Sequence, residues 1–307
     1  MMDKFSILLL TLIFTSSSYA FSYKVGITEL VAPEIGESDY SVLATDGQVY
    51  TIDGNNSKLV QLAMSAVESK SEVKVKLSEH LDTEDLLQMR NEILGIKIIS
   101  ESKKQISAPD FFKNTKGYNP NILMSSYITN IDDEDKLNDY FASMNRKFRR
   151  RSECFNRAYV WSWEMSFNKI KGQRVHLGKA WLFFTRRYIR TYKYKWWFHI
   201  APYINFNNEV RMLDRSFLKN PSTLQEWTDE FIYTKEECKI VNKYSDYAQH
   251  QEERDCYLLK SSVHYWQPLD IEKAETEGLA QKEWKEARLK GAYKNAIGVF
   301  AKPPERE

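Results

Sequence analysis

The stretch that leaves this chain the least structural choice runs from Trp196 to Asp214, WWFHIAPYINFNNEVRMLD. Its alternation predicts two short strands joined by a polar turn at Asn205-Phe206-Asn207-Asn208, because Asn tolerates positive φ and bonds its own backbone. In the first strand Trp197, His199 and Ala201 share one face while Trp196, Phe198 and Ile200 take the other. In the second, Val210, Met212 and Asp214 lie together. Folding about the middle of the turn sets position 199 opposite position 214, and directly opposed residues sit about 5 Å apart at Cβ. The expectation is a His–Asp pair on an aromatic surface: a base and the carboxylate that orients it, in want of a nucleophile.

The chain carries three cysteines. Lys4 followed by the apolar run Phe5 to Phe14 and by Ser18-Tyr19-Ala20 reads as a secretory signal peptide over residues 1–20, too short to span a bilayer. Export to a periplasmic or extracellular space makes a disulfide expected, and Cys238 and Cys256 fall in one polar excursion that a bridge would staple. Cys154 is then the free thiol. Ser152 is a good N-cap, which would place Glu153 and Cys154 in a helix's first turn, with Phe155, Ala158, Tyr159 and Ser162 on one face. Unpaired N–H groups and the positive end of the dipole favour a thiolate there, and a nearby His would lower its pKa further.

Upstream, residues 21–100 read as a small α/β unit. Strands are expected at Tyr23–Thr28, Tyr40–Thr45, Gln48–Asp53 and Glu72–Leu77, with Asp46-Gly47 as a hairpin turn. Helices are expected at Ser57–Glu68 and Thr83–Ile93. Its His80 reads as a surface residue. Residues 101–133 loosen into polar material marked by Pro109, Gly117 and Pro120, a linker. The larger unit, 134–307, opens with a helix over Asp132–Asn145 that runs into the basic Arg146 to Arg151, read as a solvated face.

Further along, Val175–Thr185 reads as a strand with His176 near its start. RRYIRTYKYK (186–195) has the basic and aromatic interleaving of a single-strand nucleic-acid platform. With a formal net charge of only +2 it reads instead as the solvated side of a twisted strand. A helix is expected from Pro221 to Trp227 with Ser222 as cap, a strand and exit turn over Ser261–Ile271, and a helix over Thr276–Phe300. His264 has no carboxylate placed opposite it and is a weaker base than His199. No phosphate-binding Gly loop, HExxH or CxxC spacing occurs, so no metal or organic cofactor is expected.

Cys at a helix start, then His and Asp on successive strands, is the order of papain-like and transglutaminase-like hydrolases. More closely, the segments SECFNRAYVWSWEM, KYKWWFHIAPYI, EVRMLDRSF and SVHYWQPLDIE resemble the bacterial protein-glutaminases, over about residues 146 to 272. The most specific pieces are C-x-x-R-A at Cys154, W-x-H-x-A-P at His199 and V-x-x-L-D at Asp214. The resemblance implies an α+β papain/transglutaminase-like domain, a Cys-bearing helix packed on an antiparallel sheet. It implies Cys154 as nucleophile, His199 as base and acid, and Asp214 as orienter, acting on glutamine side chains of proteins or peptides. It also implies a precursor whose N-terminal region covers the site. Whether residues 21 to about 130 are a propeptide or a permanent domain stays open at this stage. So do transglutaminase-type acyl transfer, cysteine peptidase activity and a non-enzymatic secreted binding protein. No nucleic-acid partner and no stable membrane insertion are expected.

Overall fold

The computed structural model describes residues 21–78, 91–100, 128–144, 148, 152–167, 175–281 and 283–298. The expected signal peptide, His80, most of the Thr83–Ile93 helix and nearly all of the basic run at 146–151 lie outside these residues.

The first part of the chain forms β1 (Phe21–Val31), β2 (Asp39–Ala44), β3 (Val49–Asp53), α1 (Ser57–Ser69), β4 (Glu72–Leu77) and β5 (Ile93–Ser100). Their five-stranded sheet has the order β3-β2-β1-β4-β5, and each neighbouring pair is antiparallel. The expected strands and first helix are present. Ile93, expected to end a helix, opens β5 instead. Asn56 caps α1 by accepting from the Leu59 N–H, and Lys70 ends it in the left-handed region. Leu59, Val60, Ala63 and Ala66 of α1 join Val25, Ile27, Val73 and Val75 of the strands in one core. At the β2–β3 turn Gly47 has φ +85° and donates to the Ala44 carbonyl at 3.0 Å. Asp46 accepts from the Gln48 N–H at 3.0 Å. That is the turn chemistry Asp-Gly is suited to.

The remainder forms β6 (Asn130–Ile131), α2 (Glu134–Ser143), α3 (Cys154–Phe167), β7 (Gly178–Phe184), α4 (Arg186–Thr191), β8 (Phe198–Phe206), β9 (Glu209–Met212), α5 (Leu224–Asp229), β10 (Lys239–Val241), α6 (Tyr244–Gln249), β11 (Cys256–Ser262), α7 (Pro268–Thr276) and α8 (Glu286–Ala296). The sheet order is β10-β11-β7-β8-β6, with β9 hairpinned to β8. Its central pairs are antiparallel, while β10 and β6 join in parallel at the two edges. All seven residues of β7 are buried, as are the first seven of β8. A strand covered on both faces carries a continuous apolar run instead of alternation. The α3 helix packs against β8 on one side and α8 on the other.

Several sequence expectations are corrected. Asn130 and Ile131, inside the expected linker, pair with Asn205 and Phe206 and so belong to the sheet. RRYIRT is helical, not a strand: Thr185 caps it through the Tyr188 N–H. Tyr188 and Tyr194 turn inward against Phe184. Thr223, not Ser222, caps α5, in a reciprocal capping box with Glu226. The strand expected at Ser261–Ile271 lies earlier, at Cys256–Ser262; its C-terminal part is α7, which Pro268 can open because its missing N–H is not needed there. The last helix is confined to Glu286–Ala296. Cys238 and Cys256 form the expected disulfide, which ties the entry of β10 to the start of β11.

Candidate active site

Cys154 is the first residue of α3. Glu153, not Ser152, holds the capping position, and its carbonyl accepts from the N–H groups of Asn156 and Arg157, each at 3.1 Å. Ser152 is engaged differently, its carbonyl and hydroxyl accepting from the Arg157 guanidinium. Arg157 is one turn beyond Cys154 on the same helix, so its charge acts on Cys154, His199 and Asp214 together.

The helix packs on β8, and the Ile200 backbone N–H is close enough to the Cys154 sulfur to favour its thiolate. His199 is therefore the strand residue next to the point where the thiol meets the sheet. No hydrogen bond joins Cys154 to His199 among the described contacts.

His199 is 2% exposed and Asp214 1%. His199 Nε2 and Asp214 Oδ2 are 2.6 Å apart. The pair forms, but not by the expected register. The turn is Asn207-Asn208, both at positive φ (50° and 66°), with Phe206 opposite Glu209 and Tyr203 opposite Met212. Position 199 thus has no ladder partner at 214. The ladder of β9 stops at Met212, the Leu213 N–H reaches the Pro202 carbonyl at 2.9 Å, and the Phe217 and Leu218 N–H groups close a turn on the Asp214 carbonyl. That bend, and not strand pairing, carries the carboxylate to the imidazole.

Asp214 is further fixed by Trp227 Nε1, which donates to Oδ2 at 3.0 Å, and by the Ser216 N–H, which donates to Oδ1 at 3.2 Å. Burial alone would raise this carboxyl; the imidazole and the indole hydrogen bond outweigh it and hold Asp214 below the usual carboxylate range. Burial pushes His199 down, against the pull of Asp214. The ring is boxed by aromatics, with Trp196 stacked at 5.9 Å, Phe217 edge-on at 5.0 Å and Phe231 at 4.4 Å.

The expectation of a lowered thiol pKa does not hold for this state. Burial pushes Cys154 up to about 12, with Arg157 and the Ile200 N–H pulling only partly back. Burial thus disfavours both the thiolate and the imidazolium here.

The turn between β2 and β3 lies against this site. Trp197 N–H donates to the Gly47 carbonyl at 3.0 Å, and the Val49 N–H to the Lys195 carbonyl at 2.6 Å. Trp197 Nε1 donates to the Ala44 carbonyl at 2.6 Å, and Gln267 Nε2 to the Thr45 carbonyl at 3.4 Å. Asp46 is buried and takes the Tyr50 hydroxyl at 2.5 Å. Desolvation, with a smaller push from Glu153, raises its carboxyl to about 7.

His264 lies elsewhere, beside Ser262 and Trp284, and His176 is exposed. Among the described residues no group of three or more His, Cys, Asp or Glu is placed to hold a metal ion. Sequence reasoning missed Trp227 and the Ser216 N–H as partners of Asp214, and Arg157 as the charge beside all three groups. Arg157 was visible inside C-x-x-R-A, but nothing local singles out Trp227.

Residues 135–231 match a family model described as glutaminase. No curated protein matches the chain. Among solved structures, a crystal structure of pro- protein-glutaminase aligns over 81% of this chain and 84% of its own, at 14% identity and a TM-score of 0.48. A mutant of pro- protein-glutaminase covers the same shares at 16% identity, also with a TM-score of 0.48. The NMR structure of protein-glutaminase from Chryseobacterium proteolyticum covers 46% of this chain and 77% of its own, at 14% identity and a TM-score of 0.31. The family match encloses Cys154, His199 and Asp214 and agrees with the resemblance carried by the motifs around them.

Proposed function

We propose that this protein is an exported protein-glutamine deamidase that works through a thioester on Cys154. The observation that carries the reading is the buried His199–Asp214 pair at 2.6 Å, one strand residue from where the Cys154 thiol meets β8, all within the segment that matches the glutaminase family. Nε2 of His199 is committed to Asp214, which leaves Nδ1 to take the thiol proton. The thiolate attacks the glutamine amide carbon and forms an S–C bond. His199 returns the proton to the nitrogen, since an amide nitrogen leaves poorly unless protonated, and the C–N bond breaks with loss of ammonia. Water then adds with His199 as base, and the S–C bond breaks to leave glutamate. Asp214 keeps the imidazole in the useful tautomer throughout.

In the same reading, residues 21 to about 130 hold the enzyme inactive. Support comes from the 44–49 turn, whose main chain pairs with Lys195–Trp197 beside the His199 strand. Its burial of the site is what favours thiol and neutral imidazole over the reactive ion pair. Export is supported by the Cys238–Cys256 disulfide. Among the described residues no helix is long and apolar enough to cross a membrane.

The test is ammonia release from a denatured casein-like protein, with the full chain before and after limited cleavage within residues 101–127. Cleaved protein should release ammonia without cutting or cross-linking the substrate. Cys154→Ala and His199→Ala should each remove the activity by several orders of magnitude. Wild-type rates in both variants would sink the assignment. Cross-linked product would point to acyl transfer, and shortened substrate to a peptidase.

A further inference from the structure

Two stretches of opposite charge meet at the junction of the N-terminal unit and the larger unit. RRYIRTYKYK, residues 186–195, holds five basic side chains and no acid. ELVAPEIGESD, residues 29–39, holds four acids and no base. They pair in register: Arg186 with Glu29, Arg190 Nε with Glu34 at 2.6 Å, and Lys193 with Glu37. Residues 186, 190 and 193 are three to four apart, so one side of α4 and the turn after it presents all three.

Beyond these glutamates the stripe has few anionic neighbours. Glu252 also reaches Arg190, at 2.5 Å. Asp255 and Glu236 engage Arg187, which points away from the stripe. If the N-terminal unit leaves, Arg186 and Lys193 lose their described ion-pair partners and Arg190 keeps one. Glu29 in particular is poorly suited to hold permanently. Burial pushes the Glu29 carboxyl up even beside Arg186, so desolvation offsets much of what that pair gains.

The stripe is continuous with the site. Lys195 and Trp197, which follow it directly, are the residues that hydrogen-bond the 44–49 turn. A single run of chain, 29–49, therefore lays its acids on α4 and its turn beside His199. Of the three tyrosines between the bases, Tyr188 and Tyr194 are buried against Phe184, which leaves only the half-buried Tyr192 and no run of exposed rings for stacking. That argues against single-stranded nucleic acid, which needs exposed rings.

We propose that Arg186, Arg190 and Lys193 form an exosite for acidic segments of protein substrates, which Glu29, Glu34 and Glu37 occupy until the N-terminal unit is displaced. This rests on the deamidase reading and adds a substrate class to it: proteins with a carboxylate-rich stretch offset from the target glutamine. The exosite contributes to binding and not to the chemical step, so it acts on KM and not on kcat.

The test uses the full chain. Glu29→Gln, Glu34→Gln and Glu37→Gln together remove the acids that pair with the stripe through three neutral exchanges at a half-exposed junction. A fluorescein-labelled oligoglutamate peptide followed by polarisation should bind this variant about tenfold more tightly than wild type at low salt. The gain should vanish near 0.5 M salt, and also when Arg186→Glu, Arg190→Glu and Lys193→Glu are added. Equal binding to wild type and the neutralised variant would overturn the proposal. So would gained binding that survives the charge reversal, or tighter capture of an oligothymidylate than of oligoglutamate. In a second arm, cleaved full chain is given glutamine peptides with an acidic or a neutral upstream run; the acidic peptide should show a several-fold lower KM at equal kcat. Equal KM values overturn the exosite. Absence of ammonia from every peptide refutes the deamidase reading instead, and the polarisation result then decides the surface.

Discussion

Trp227→Phe isolates one hydrogen bond at the centre of the site. Trp227 is wholly buried, and its indole N–H donates to Asp214 Oδ2 at 3.0 Å, the oxygen that also meets His199. Phenylalanine keeps most of the ring packed against Phe231 and His199 and deletes the donor. A hydrogen bond to a buried charged group is worth about 1.5–3 kcal/mol, and the smaller ring adds roughly 1 kcal/mol of lost packing. The variant should therefore be about 3 kcal/mol less stable at pH 7 in urea unfolding. The two parts separate by pH. Asp214 is held below its ordinary value in the folded chain, so the stability it contributes is fully present above about pH 4 and is lost as pH falls through the folded pKa. Losing the indole donor lets the folded pKa rise toward the unfolded one. The stability gap between variant and wild type should then narrow as pH drops below 4. In cleaved protein kcat for ammonia release should fall about tenfold with KM little changed, because Asp214 positions His199 and does not touch substrate. A gap that stays constant from pH 7 to 2.5, or no loss at pH 7, would refute the account of Trp227 as a brace for the carboxylate.

Further tests address the proposed inhibition by the N-terminal unit and the frame around the site. With Cys154 pushed up to about 12, only about one thiol in 10⁵ is ionised at pH 7, so iodoacetamide should label intact protein very slowly and cleaved protein at least a hundredfold faster. Gly47→Val meets two obstacles, a φ of +85° and a Cβ 3.2 Å from the Phe198 ring; it should loosen the turn and yield measurable ammonia release from uncleaved protein. Replacing both Cys238 and Cys256 by Ala opens a loop of sequence separation 18 and should cost about 3 kcal/mol, read as a lower melting temperature.

Much of this protein is written locally. The Asn-rich turn, the Asp46-Gly47 hairpin, the strands around them and the helix that starts at Cys154 all follow from propensity and spacing. The three candidate site residues could be named from the sequence. What local pattern misreads is also consistent. RRYIRTYKYK alternates like a strand, yet Thr185 caps it and the inward turn of Tyr188 into the aromatic core makes it helical. His199 and Asp214 were placed together by a hairpin register that the Asn207-Asn208 turn does not adopt.

The sequence by itself determined which side chains are available for chemistry and which elements carry them, because capping, turn residues and hydrophobic period act over a few residues. Tertiary structure alone decided how those groups are poised. The bend after Met212 that delivers Asp214, the indole of Trp227 that braces it, and the turn at Gly47 that pairs with Lys195–Trp197 come from distant parts of the chain. Their effects depend on distance and dielectric, and neither can be read until the chain has folded.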